Sequence, residues 1–374
     1  MYKISLIILL VALLVQACGN LEPEPTPVKI VFNLKNAKAI IIKEPNTANG
    51  RAASSNQTNL FKIDEDGNIS SVIDSISINF ARAFSSGLYV ETSDYRKFYV
   101  LMDNSFTEIT EEVGTYKGEN ENGDLVFSDV SVLRANSITI EKLQTTLDAP
   151  KVQTVSGNLA MITDFSIYQV YNTVTGIRYN VNGCNGPRIE AFPNNELVLI
   201  DDCSNDVLLD MQSGNRVQAD ILGWNHETLR VSDGIIVLSQ AFPSETNSAD
   251  FGLGHIDYEG NLTLISDRVF KPGSDACFNC SKGNTVLFGG DDFLVLRELN
   301  KISLVKRKEN NTITTILEGY NVTKLSLSNN GVYYLAEDNL GNALTGIYNI
   351  ITNENQILEK GVPYNDIQVL GKRL

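Results

Sequence analysis

The residues of this 374-residue chain with the most distinctive chemistry are few: five cysteines, two histidines and one tryptophan. Cys184, Cys203, Cys277 and Cys280 lie in the body of the chain, and in an oxidising compartment an even number of thiols defaults to disulfides. Of the three connectivities that four thiols allow, Cys184–Cys203 and Cys277–Cys280 is favoured. The first clamps Asn182-Gly183-Cys184 to Asp201-Asp202-Cys203, and the second closes a tight ring in Cys277-Phe278-Asn279-Cys280. That second pair also has zinc-ligand spacing, but a four-thiolate site needs a second close pair. Cys184 and Cys203 are 19 positions apart (184 to 203). A redox-active pair needs a strand-to-helix setting, which the flanking residues do not supply.

The histidines, His226 and His255, form no paired metal motif. Trp224-Asn225-His226-Glu227 joins the sole Trp to a His, and is expected in a loop where Trp224 and His226 could touch a ligand. Asp64-Glu65-Asp66-Gly67-Asn68 superficially resembles the opening of a calcium loop. Its Gly arrives at the fourth position and Ser75 stands at the twelfth, so a hairpin turn is the expected structure. Nucleophile-elbow, phosphate-loop and dinucleotide signatures do not occur. Catalytic, metal and cofactor-binding residues are therefore expected to be none. Carboxylates are too numerous for sequence to single out a glycosidase pair.

The elements that would position these groups repeat. Gly-Leu-Tyr-Val at Leu88 has counterparts at Leu125, Leu159, Leu197, Ile235, Phe293 and Val332, separated by 37, 34, 38, 38, 58 and 39 residues. Five of those spacings cluster near the length of a four-stranded propeller blade. The long one is assigned to an insertion, Asp267 to Ser281, that carries the Cys277–Cys280 pair. β-branched and aromatic residues alternate with Gly and Asn turns, and no stretch beyond the N-terminus keeps a helical apolar period. The fold class expected is all-β: a β-propeller of four-stranded antiparallel blades. Eight blades are favoured, with seven if the weak 113–143 unit merges with a neighbour. The ring closes by joining Asp366–Leu370 at one end of the chain to the hairpin of 59–73 at the other, with Ala39 to Ile42 as an added strand. Such closure removes sheet edges and ties the termini.

The N-terminus supplies an address. One Lys precedes the apolar run Ile4 to Val15, which is too short for a stable membrane span. The run ends at Val15-Gln16-Ala17-Cys18 and resembles the lipobox of bacterial lipoproteins. That resemblance implies cleavage before Cys18 and acylation of Cys18, diacylglycerol plus an amide-linked chain such as palmitate, which together anchor stably. Gly19 in place of Asp implies the outer membrane. The domains expected are a signal peptide at 1–17, a Pro/Glu-rich tether at 18–27 and the propeller at 28–374. Cleavage removes 17 of 374 residues and leaves 357, enough for a large core.

The full chain carries 30 Lys and Arg against 45 Asp and Glu, a formal charge of −15, and loss of Lys3 makes it −16. Such a surface disfavours nucleic acid and anionic headgroups. Lys306-Arg307-Lys308, the densest basic cluster, is expected as a solvated face. The chain resembles bacterial β-propeller lipoproteins as a class, which implies an envelope-anchored, monomeric, non-enzymatic scaffold presenting loops to a protein or glycan partner. The alternative is a carbohydrate-active hydrolase working through channel carboxylates.

Overall fold

The computed structural model describes residues 30–43, 59–73, 76–164, 167–181, 188–201, 206–219, 226–239, 251–270, 286–298 and 301–371. Among them, 32 strands pair into eight antiparallel sheets of four. Blade 1 consists of Ile78–Phe84, Gly87–Thr92, Lys97–Leu101 and Phe106–Ile109, ordered from the inside outward as in the chain. Blades 2 to 7 follow at 116–142, 151–181, 188–219, 226–270, 286–318 and 321–360. Blade 8 is composite: Asp366–Val369 pairs with Ala37–Ile42, then Leu60–Asp64, then Ile69–Ser71. The first strand of blade 7 touches that of blade 8, which touches that of blade 1, so the ring closes. Eight blades and terminal closure are as the sequence predicts, and Ala37–Ile42 is the added strand.

Burial explains the apolar repeat. In blade 3, Leu159 and Met161 pack with Val198 and Ile200 of blade 4. The intervening Ala160 and Ile162 pack with Val126 and Val132 of blade 2. A second strand sandwiched by neighbours has no water-facing side, so it reads as a continuous apolar run instead of alternating. Each such side chain, fully buried, contributes about 1.5–3 kcal/mol. The fourth strands face water: Thr139–Lys142 and Glu354–Lys360 are largely exposed and carry charge, which blunts open edges.

The 113–143 unit, the weakest match, is a full blade as the favoured count of eight requires; its strands are only three or four residues long, too short for a strong pattern. Two expectations need adjustment. Asp267 is not the start of an insertion, because the fourth strand of blade 5 runs Leu262–Phe270. The Ile69–Ile73 strand stops at Ser71, and Ile73 instead bridges to Phe32.

The predicted turn at Asp64 is a hairpin. Asp64 Oδ1 accepts from the backbone N–H of Asp66 and Asn68, and Asn68 Nδ2 donates to Oδ2. The same Asp-x-x-Gly-Asn turn recurs at 257–261 and 338–342 with the same bonds. The carboxylates are consumed by their own turn.

The first strands of blades 1, 2, 3 and 7 each hold a one-residue bulge, leaving Asn79, Lys117, Gln153 and Thr323 without a ladder partner. The first strands of blades 4, 5 and 6 pair in regular register.

Candidate functional site

A cleft lies between blades 5 and 6, at the end where first strands turn into second strands. Its floor is the turn Ser232-Asp233-Gly234. Gly234 has φ +149°, and a Cβ there would lie 2.0 Å from the Ile256 carbonyl oxygen, so only glycine lets the turn press against the third strand. Asp233 is thereby held beside His255 of that strand, with His255 Nε2 3.4 Å from Asp233 Oδ1. His255 Nε2 is buried and makes no hydrogen bond.

The opposite wall is blade 6. Its third strand, Lys301–Lys306, ends in a short 3-10 turn, Arg307–Glu309. Arg307 Nη2 donates to both oxygens of Asp233, at 2.8 and 2.9 Å, and Nη1 donates to the Asp291 carbonyl at 3.3 Å. Asp291 Oδ1 in turn accepts from the Ser232 N–H at 2.6 Å. Lys308 pairs with Asp292. Thr263, Leu264, Ile265 and Asn311 complete a cleft of about 460 Å³. Burial pushes the Asp233 carboxyl up, but the Arg307 guanidinium outweighs it and holds it below the usual carboxylate range. Arg307 does not spend all five of its donors on these bonds. The cleft can therefore offer the remaining guanidinium donors of Arg307 and an exposed Leu264 side chain to one ligand group, while His255, its Nε2 shielded from solvent, backs Asp233.

A second polar system links the inner ends of blades 2 to 5. Glu121 accepts from Asn158 Nδ2 at 2.9 Å and Asn195 Nδ2 at 2.6 Å, and pairs with Arg230. Arg230 also donates to the Pro193 carbonyl at 2.6 Å. Gly157 sits under this network at φ +53°, where a Cβ would stand 2.4 Å from Asn195 Oδ1 and 2.5 Å from Arg230 Nη1. Nearby, Glu190 accepts from Ser156 Oγ at 2.8 Å and Thr228 Oγ1 at 3.0 Å. Burial raises the Glu190 carboxyl, which those hydroxyls and Arg230 only partly counter. Glu119 is held by the single N–H and the hydroxyl of Ser85, with both carboxylate oxygens 3.0 Å from that N–H. These carboxylates stitch neighbouring blades together. Among the described residues no group of three or more His, Cys, Asp or Glu side chains could hold a metal ion.

Cys18, Cys184, Cys203, Cys277, Cys280 and Trp224 lie outside the described residues. His226 is not in a loop: it opens the first strand of blade 5, His226–Val231. Five residue steps put it about 17 Å from the Asp233 end of that strand. The expected solvated face at Lys306–Lys308 holds only for Lys308. Arg307 has a side chain just 12% exposed and reaches into the neighbouring blade. Asp291 and Asp292 bind Ser232 and Lys308. The one available signal was a basic turn facing two acidic turns a blade apart.

No family model and no curated protein matches this chain. Solved structures do. The dihydro-heme d1 dehydrogenase NirN, solved in complex with DHE, aligns over 92% of this chain and 77% of its own at 10% identity, with TM-score 0.54. A eukaryotic initiation factor aligns over 90% of this chain and 100% of its own at 11% identity, also with TM-score 0.54. A prolyl endopeptidase aligns over 77% of this chain and 50% of its own at 10% identity, with TM-score 0.50. At such identities the likeness is one of fold.

Proposed function

We propose that this chain is a lipid-anchored binding propeller of the bacterial envelope, held at the outer membrane through Cys18, whose blade 5–blade 6 cleft receives a group from a protein or glycan partner. The observation that carries the reading is the cleft itself: an Arg307 pinned by the Asp233 carboxylate and the Asp291 carbonyl, with spare donors, at an open site. Side chains held in place by their own neighbours are pre-organised, which lowers the cost of binding. The lipobox-like Val15-Gln16-Ala17-Cys18 supports the anchor.

Two experiments test the two halves. Radiolabelled palmitate should enter the wild-type protein and not Cys18→Ala; label in both would remove the anchor. Capture from envelope extracts with tagged full-length protein should enrich a partner that Arg307→Ala releases. Repeated capture of nothing, or of the same material by both forms, would remove the cleft reading.

The alternative, a hydrolase working at the ring axis, rests on Glu190, a carboxyl on the inner strand of blade 4 that accepts from Ser156 and Thr228 and that desolvation pushes upward, the direction a general acid requires. A glycosidase screen in which Glu190→Gln abolishes turnover while the fold persists would establish it. Absence of turnover on all neutral and acidic glycans tried would dismiss it.

A further inference from the structure

The axis of the ring is asymmetric. Around blades 4 and 5 the polar side chains described on the inner strands have partners: Glu190 binds Ser156 and Thr228, and Arg230 binds Glu121 and Pro193. The arc from blade 7 through blade 8 to blade 3 differs. There the bulged first strands turn Thr323, Asn79, Lys117 and Gln153 out of the ladder, and all four are exposed.

The second strand covers the outer edge of an innermost strand and the adjoining blades cover its faces, so water reaches it from the axis and from the rim where the strand begins. Phe80, in the first strand of blade 1, is 39% exposed for the same reason, and its ring lies 6.3 Å from that of Tyr116 on the first strand of blade 2. Bulges re-aim side chains and concentrate at functional sites.

The chemistry of the arc is one-sided. Arg82, Lys117, Lys151 and Lys324 stand on the inner strands of blades 1, 2, 3 and 7, and none of their side chains has a hydrogen bond or ion pair among the described residues. The same holds for the carboxamides of Asn79 and Gln153. Thr323 is the exception, donating to the Leu335 carbonyl at 3.2 Å. The acids of these strands are already engaged: Glu119 by Ser85, and Asp366 by Gln368 Nε2 at 2.6 Å. Off the inner strands of blades 1 and 2, cations meet acids, as in Arg96–Glu108, Arg134–Asp124 and Lys142–Asp129. Four free cations on the inner strands of a chain with net charge −15 are thus a local inversion of sign. Between blades 1 and 2 the fully buried Tyr89 hydroxyl also lacks a partner, with its ring stacked 5.8 Å from Tyr116.

We propose that this arc is a binding site for a small hydroxylated carboxylate of the sugar-acid class. Lys117, Arg82 and Lys324 take the charge, Asn79 and Gln153 the hydroxyls, and the Phe80 ring one face of the ligand. The site is separate from the blade 5–blade 6 cleft, so its loss leaves partner capture through Arg307 intact.

The test is isothermal titration of the full chain with glucuronate, inorganic phosphate and glucose. Glucuronate should bind best, phosphate more weakly and glucose not at all, with weakening at high salt. Each cation removed, in Arg82→Gln, Lys117→Gln and Lys324→Gln, should weaken glucuronate about tenfold, the scale of one charge-assisted hydrogen bond. Lys360→Gln, on an outer strand, should change nothing. Thermal melts identify any variant that fails to fold, and the remaining single variants then decide. Equal binding of glucuronate and glucose, loss below twofold in every folded variant, or no anion binding would overturn the site. Phosphate binding as tightly as glucuronate would reduce it to a bare anion site and overturn the ligand class.

Discussion

Replacing Gln368 by Leu should weaken the closure of the ring more than any other single change of similar volume on that strand. Gln368 lies in the C-terminal strand and is 7% exposed. Its Oε1 accepts from the Ala83 N–H at 2.7 Å and its Nε2 donates to the Ala81 carbonyl at 3.1 Å. Ala81 and Ala83 belong to the first strand of blade 1, so the side-chain amide reproduces one ladder step across 285 to 287 residues of sequence. Leucine fills the space but leaves the Ala83 N–H buried with its partner gone. An orphaned buried donor costs about 1–3 kcal/mol, and the lost bond to the Ala81 carbonyl adds about 0.5–1.5 kcal/mol. The expected loss is therefore about 2–4 kcal/mol. Urea denaturation followed by tryptophan-independent far-UV dichroism measures it, with proteolysis of the native state as a second readout because a ring this long need not unfold in one step. The nicks should begin near the seam between blades 8 and 1. A loss under 0.5 kcal/mol, or proteolysis unchanged in rate and site, would refute the claim that this amide holds the seam.

Three further outcomes are expected. Gly157→Ala forces a Cβ against Arg230 and Asn195 at a positive φ, and should cost about 1–3 kcal/mol in denaturant titrations, whereas Gly341→Ala, with open space around it, should show only the backbone strain. Asp233 and Asp338 both have carboxyls held below the usual range: Asp233 against its own burial by Arg307, Asp338 by the Asn342 side chain. A lowered folded-state value means that their stabilisation is complete above the ordinary carboxylate range and is lost as pH falls through the lowered value, so melts of Asp233→Asn and Asp338→Asn between pH 7 and 3 should show a flatter acid limb than wild type. Finally, Arg188 and Asp201 are register partners at the edges of the segments that hold Cys184 and Cys203, so non-reducing peptide mapping should recover a Cys184–Cys203 bridge, and free thiols at both would overturn that pairing.

Blade number, strand order and ring closure were legible because they rest on local pattern. A second strand buried on both faces must be apolar throughout, so Gly-Leu-Tyr-Val at Leu88 and Gly-Val-Tyr-Tyr-Leu at Val332 announce themselves. Incomplete ends without a blade of their own had only each other to pair with. Blade 2 nearly escaped for the same physical reason in reverse, since strands of three or four residues barely complete one alternation. The Asp-x-x-Gly-Asn turn was recognised once, at Asp64, although its bonds are local and its two repeats stood in the sequence.

The polar sites were not legible, because their members come from different blades. Arg307 looked like a solvated cation within its own turn; only the stacking of blade 6 on blade 5 sets it across Asp233, 74 positions away. Bulges left no mark either, since one extra residue such as Lys117 or Gln153 shifts the alternation by a single step that sequence alone reads as noise. Which strands exist, and that they close, follows from burial and turn chemistry acting over a few residues of sequence. Tertiary structure decided which charges find partners and which are left facing the axis, because pairing depends on distances that only the closed ring fixes.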